Sequence, residues 1–243
     1  YDKKIELTFQ ISIDDFPEEH NKVRKVKNLF ENCIETYRKL KSMNDRVTPV
    51  VSVTVTHENC DNMKNIFKYL TEDCKIDSLK CTIVRDEGVF KTPQEKREKI
   101  FNAYCWLTDK IKEYSKIKKL SNYNLKSIQG KLHSKKDEIS WDLTKKMYLN
   151  PKYISPCHAG SLFGIITAAG LVYPCEILED KLLGNLRDNN MNFMKIWDNT
   201  VTKEAKNFIL KSKCNCTYEC ALTYNILGNL RYQPSLIKSF IDR

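Results

Sequence analysis

The chain has 243 residues, 41% hydrophobic and 30% charged, which suits one or two domains with buried cores. Its most apolar stretch, residues 162–174, is interrupted by Gly164 and Gly170. It falls short of the ~18 residues a membrane helix needs, so no membrane partner is expected. The net charge of +10 comes from 41 basic against 31 acidic residues. Much of the excess lies in residues 110–152 as lysine, without interleaved aromatics, which reads as a solvated surface and argues against a nucleic-acid partner. The chain opens on Tyr1 and runs at once into a strand-like pattern with no leader. The expectation is a piece of a longer cytoplasmic protein.

Residues 5–13 place Ile5, Leu7, Phe9, Ile11 and Ile13 on one strand face and Thr8, Gln10, Ser12 and Asp14 on the other. Pro17 opens a helical pattern over about 17–40, with a stripe of Val23, Val26, Leu29, Phe30, Cys33, Ile34, Tyr37 and Leu40. The alternation recurs at 49–56, where Val51, Val53 and Val55 oppose Ser52, Thr54 and Thr56. A helix near 60–71 follows, then a strand over 78–84. A long helix is expected from Thr92, where Thr92-Pro93-Gln94-Glu95 has the form of a capping box. Strand–helix repetition predicts a parallel sheet with right-handed crossovers. The alternation predicts helices on the apolar face and a cavity on the polar one, as in a partial barrel. A flat sheet covered on one side is the simpler alternative.

Residues 121–150 read as a helical linker between a first domain, 1–120, and a second, 151–243. In the second, Ile165-Ile166 and Leu171-Val172-Tyr173 read as a small hairpin that delivers Cys175. A short helix follows with Phe193, Ile196 and Trp197 inward. Another covers about 201–212, and a last begins near Cys220.

Ten cysteines in a chain of this kind point to metal rather than disulfides. Cys33, Cys60, Cys74, Cys81 and Cys105 have no ligand spacing and read as small core residues. Cys157-x12-Gly170-x4-Cys175 and Cys214-Asn215-Cys216-Thr217-Tyr218-Glu219-Cys220 are different. Thiolates on short loops suit an iron–sulfur cluster or zinc.

Two segments carry a family resemblance. Cys157-His158-Ala159-Gly160, Gly170-x4-Cys175, Leu183-Gly184-Asn185-Leu186-Arg187 and Ile196-Trp197 resemble, in that order, the SPASM or twitch domain of radical S-adenosylmethionine enzymes. Ser12-Ile13-Asp14 followed by His20 and Arg24 resembles the fourth barrel strand of the same enzymes and the helix after it. Asp15 stands where the family has glycine, and Asn21 where it commonly has aspartate.

The resemblance implies an α/β fold: the C-terminal half of a partial (β/α)6 TIM-like barrel, followed by a small cysteine-rich α+β domain. It implies an oxidoreductase that reductively cleaves S-adenosylmethionine to a 5′-deoxyadenosyl radical, which takes hydrogen from a peptide or small-molecule substrate. A flavodoxin or ferredoxin would supply electrons. It makes Gln10, Ser12 and Arg24 cofactor contacts. Cys157, Cys175 and Cys220 become ligands of an auxiliary 4Fe-4S cluster, with Cys214 and Cys216 competing for the fourth place. The Cys-x3-Cys-x2-Cys motif for a second 4Fe-4S cluster is absent, so the chain alone is expected to be inactive. Glu176 and Asp180 are carboxylates near the cysteine loop, available as acid or base but more simply solvated. The alternative is a binding module with a structural zinc site made of four cysteines.

Overall fold

Valine alternation sets the first sheet. In the computed structural model, which describes residues 7–85, 92–123, 125 and 127–241, Val47–Val55 is the central strand β2. It pairs in parallel with β1 (Leu7–Ser12) on one side and β3 (Leu79–Ile83) on the other. The register sets Ile11 beside Val51 and Ser12 beside Ser52, then Val53 beside Cys81 and Thr54 beside Thr82. Odd positions therefore form one face: Val51, Val53, Val55, Leu79, Cys81 and Ile83 are all buried. Even positions put Gln10, Ser12, Ser52, Thr54 and Thr82 on the other face, where the Thr54 and Thr82 hydroxyls meet at 3.3 Å.

Helices cover the odd face. These are α1 (Pro17–Arg24), α2 (Leu29–Lys41), α3 (Met63–Lys68) and α4 (Arg97–Lys116). Of these, α2 and α4 pack on the sheet, and α3 packs on α4. Ile34, Tyr37, Met63, Ile66, Phe67, Ile100, Tyr104, Leu107 and Ile111 complete the core. Asn122 closes the outer edge of β3: its Oδ1 accepts the Leu79 N–H and its Nδ2 donates to the Leu79 carbonyl, each at 2.7 Å.

Three details depart from the pattern read along the chain. The helix expected over 17–40 is two helices. Lys25 adopts φ 55° after α1 and Asn28 adopts φ 56° before α2. Asn21 bridges the break by accepting the Phe30 N–H at 2.8 Å, so the stripe shifts and Val23 and Val26 are exposed. Second, α4 opens behind a 3-10 turn at Gln94–Lys96 rather than at Thr92. Third, Phe9 is 42% exposed, because β1 ends the strand order and has β2 as its one neighbour among the described residues. Ile5 lies outside the described residues.

The chain divides into two units, Tyr1–Leu125 and Lys126–Arg243. The boundary splits the segment read as a linker. Its helix α5 (Ile128–Met147) belongs to the second unit, where Leu143 and Met147 pack with Leu222 and Ile226 of α8 (Glu219–Leu227) and Leu236 of α9 (Gln233–Ile241). The hairpin β4 (Ile165–Ile166) and β5 (Leu171–Tyr173) is antiparallel and gains a third strand, β6 (Gly184–Asn185). Gly170 turns it with φ 87°, where a Cβ would meet Asn185 Oδ1 at 3.0 Å. Beneath it, Val172, Leu183, Leu186 and Ile196 of α6 (Phe193–Trp197) pack with Ala205 of α7 (Thr200–Lys211). Among the described residues, no helix is long and apolar enough to cross a membrane.

Candidate functional site

In the first unit, polar side chains gather where β1 and β2 end. Asp14 follows β1 and reaches across to β2: its Oδ1 accepts the Thr54 N–H at 2.8 Å. Its Oδ2 accepts from Arg24 through Nε, at 3.2 Å, and Nη2. Asp14 therefore does not cap α1, which begins behind Phe16 with no side-chain cap. Asn59, 2% exposed, ties the same corner. Its Oδ1 accepts the Thr56 N–H, and its Nδ2 donates to the Asp14 and Thr54 carbonyls, each at 2.8 Å. Gln10 and Ser12 are exposed on the polar sheet face. Of the expected cofactor contacts, Arg24 is thus held by an aspartate at the strand end.

His20 is buried at this corner, with its ring edge against Phe30. Its Nδ1 accepts the Asp14 N–H at 3.3 Å, which makes Nε2 the protonated nitrogen of a neutral ring. Nε2 has no partner. Burial pushes the His20 pKa down, outweighing the Asp14 carboxylate. Below about pH 6.5 the unfolded chain then takes up a proton that the folded chain refuses. Stability is expected to fall as pH drops through that value and to level off below the folded pKa. Urea midpoints at pH 7.5 and 5.5 should show a smaller loss in His20→Gln than in the parent; equal losses would contradict the assignment.

In the second unit the cysteines converge. Cys175, at the end of the hairpin, is buried with Ala159, Phe163, Ile209 and Ala221, and Cys157, Cys214 and Cys216 pack against that group. A hydrogen bond from Cys214 holds the Cys157 thiol down to about 6, aided by the Ala159 N–H and Asn225. The same bond raises Cys214, as do its burial and the nearby sulfurs of Cys157, Cys216 and Cys175. Four sulfurs from distant segments thus share one neighbourhood.

Cys220 falls in the first turn of α8, is exposed, and hydrogen-bonds Tyr218. Cys214 and Cys216 both pack with Cys157 and Cys175, while the resemblance gives Cys220 a ligand place and makes Cys214 and Cys216 competitors for one. Glu176 is a hydrogen-bond partner of Tyr218, and Asp180 pairs with Lys181 at 2.7 Å. Cys60, Cys74 and Cys81 are buried in the first unit, while Cys33 and Cys105 are half-buried.

Among the described residues, no group of three or more His, Cys, Asp or Glu side chains closes on a point that could hold a single metal ion. The donor set itself, four cysteine side chains gathered in one cluster, fits the chemistry of an iron–sulfur cluster. Asn59 and Asn225 escaped the reading of the sequence. Neither lies in a spacing motif, and their importance comes from partners many residues away.

Residues 157–221 match the SPASM family, an iron–sulfur cluster-binding domain. The chain as a whole is similar to native anSMEcpe with bound AdoMet and Kp18Cys peptide. That match has 15% identity and a TM-score of 0.51, over 95% of this chain and 68% of that one. It is likewise similar to histidine-tagged anSMEcpe with bound AdoMet, at 17% identity and a TM-score of 0.53, over 97% of this chain and 66% of that one. The chain thus spans about two thirds of the length of these structures. No curated protein sequence matches it. The cysteine-bearing region is thus similar to the SPASM iron–sulfur cluster-binding domain, and the chain shares the fold of the anSMEcpe structures.

Proposed function

We propose that the chain is the C-terminal part of a radical S-adenosylmethionine enzyme and that its second unit holds an auxiliary 4Fe-4S cluster. The convergence of Cys157, Cys175, Cys214 and Cys216 within the SPASM match carries this reading. These four are the proposed ligands, with Cys220 the spare. The polar sheet face with Gln10 and Ser12, and Arg24 at the strand end, is the proposed part of the cofactor site. In the intact enzyme, S-adenosylmethionine and a second cluster would supply a 5′-deoxyadenosyl radical for hydrogen abstraction. The chain's residues orient the bound molecules: Asp14 positions Arg24, and Asn59 positions Asp14. Structures similar to this chain have been solved with a bound peptide, which supports a peptide substrate over a small molecule. A flavodoxin or ferredoxin is the proposed electron donor.

Anaerobic reconstitution with iron and sulfide tests the cluster. The expected product is brown, absorbs near ~400 nm and carries about four irons per chain. A colourless protein that instead takes up one zinc per chain would establish the structural zinc alternative.

A further inference from the structure

The turn that carries Cys157 is seated on α8 by one side chain. Asn225, in the middle of that helix, is 7% exposed. Its Oδ1 accepts the His158 N–H at 2.7 Å. Asn225 is also a side-chain hydrogen-bond partner of Cys157, and with the oxygen engaged its Nδ2–H is the group free to donate. The orientation of the amide therefore follows from its own bonds.

The turn also fits closely on the end of α8. Its residues are knitted locally: the Gly160 N–H donates to the Phe163 carbonyl at 2.8 Å, and the Leu162 N–H to the His158 carbonyl at 2.9 Å. Gly228, which follows α8, lies beneath it. A Cβ at Gly228 would stand 2.4 Å from Leu162 Cδ1 and 3.1 Å from His158 Cδ2. The turn that carries Cys157 is thus packed closely against the end of the helix that carries Asn225.

We propose that Asn225 is a positioning residue for the Cys157 sulfur: it anchors the turn through the His158 N–H and donates its Nδ2–H to the sulfur, raising the reduction potential of the cluster bound there. This rests on the iron–sulfur reading above. The physical reason is charge. Reduction adds an electron to the cluster and its thiolates, and an N–H aimed at a ligand sulfur stabilises the more negative state. The amide stabilises both states, and the reduced one more, because the sulfurs carry more negative charge there.

Asn225→Asp keeps the anchor, removes the donor and adds a negative charge, so its midpoint is read together with the nitrogen coupling of the parent. Aspartate keeps an acceptor for the His158 N–H but turns an oxygen toward the sulfur. The reconstituted full chain and this variant are compared by iron content, circular dichroism and an EPR-monitored redox titration. The expected result is a folded, iron-loaded variant with a more negative midpoint. At the parent's midpoint potential its reduced-to-oxidised ratio should fall about tenfold, or about 59 mV for one electron. An unchanged midpoint in the loaded variant overturns the proposal, since a merely structural role would leave it there.

The nitrogen coupling is read on the parent chain, which decides the matter alone if the aspartate variant does not load. With asparagine labelled with 15N at the side-chain amide, pulsed EPR of the reduced protein should show a nitrogen coupling that Asn225→Ala lacks. Absence of that coupling from the parent overturns the proposal. A parent chain that takes up no iron is a different failure: it removes the iron–sulfur reading and takes this proposal down with it.

Discussion

Cys175→Ser is expected to strip iron from the reconstituted protein and to destabilise its second unit, whereas Cys220→Ser should leave both nearly unchanged. Cys175 is buried among Ala159, Phe163, Ile209 and Ala221, and Cys157, Cys214 and Cys216 pack against the same cluster. Serine at that position removes a soft ligand and puts a hydroxyl into an apolar pocket. Cluster binding is linked to folding, so the loss should exceed about 3 kcal/mol in the loaded protein. Cys157→Ser, Cys214→Ser and Cys216→Ser should behave alike. Cys220 is exposed at the start of α8, so its replacement disturbs only the bond to Tyr218. Iron assay and urea unfolding read both effects. Full iron retention in Cys175→Ser, or its loss in Cys220→Ser alone, would refute the ligand set.

Asn59→Ala is expected to destabilise the first unit by about 2–3 kcal/mol, the cost of leaving buried polar groups without partners. Three backbone groups lose theirs at once: the Thr56 N–H and the Asp14 and Thr54 carbonyls. At 2% exposure, Asn59 leaves water little access to replace them. Asn59→Asp should be no better. It keeps the acceptor for Thr56 but directs a carboxylate at two carbonyl oxygens. The corner also holds Asp14, so the Arg24 guanidinium should loosen, visible as weaker protection of the Thr54 amide in hydrogen exchange. A change in the urea-derived stability below about 0.5 kcal/mol, within the range of a neutral surface substitution, would contradict the assignment.

Several features were legible along the chain because they depend on local periodicity. Alternation at Val51, Val53 and Val55 dictated a strand with one apolar face, since successive side chains point to opposite sides of a sheet. The parallel order followed from the helices between the strands. The spacing about Gly170 placed Cys175 at the end of a hairpin, since a glycine is favoured where φ is 87°. Other features had no local signal. Lys25 and Asn28 break an otherwise continuous helical stripe through left-handed φ values, stabilised in part by Asn21 nine residues before the bond it accepts.

The cysteine set shows the same division. Thiol chemistry and spacing marked five candidates, but spacing cannot say which way a side chain leaves its helix. Placing Cys220 in the first turn of α8 exposes it, while the extended loop before that helix carries Cys214 and Cys216 to Cys157. Asn59 and Asn225 stand in no sequence motif, because a hydrogen bond between distant segments leaves no period in the sequence. By itself the sequence determined the strands, the helical stripes and the kind of chemistry its cysteines can do. Only the tertiary structure decided which thiols meet and which amides hold them, because both depend on backbone groups that folding alone brings within reach.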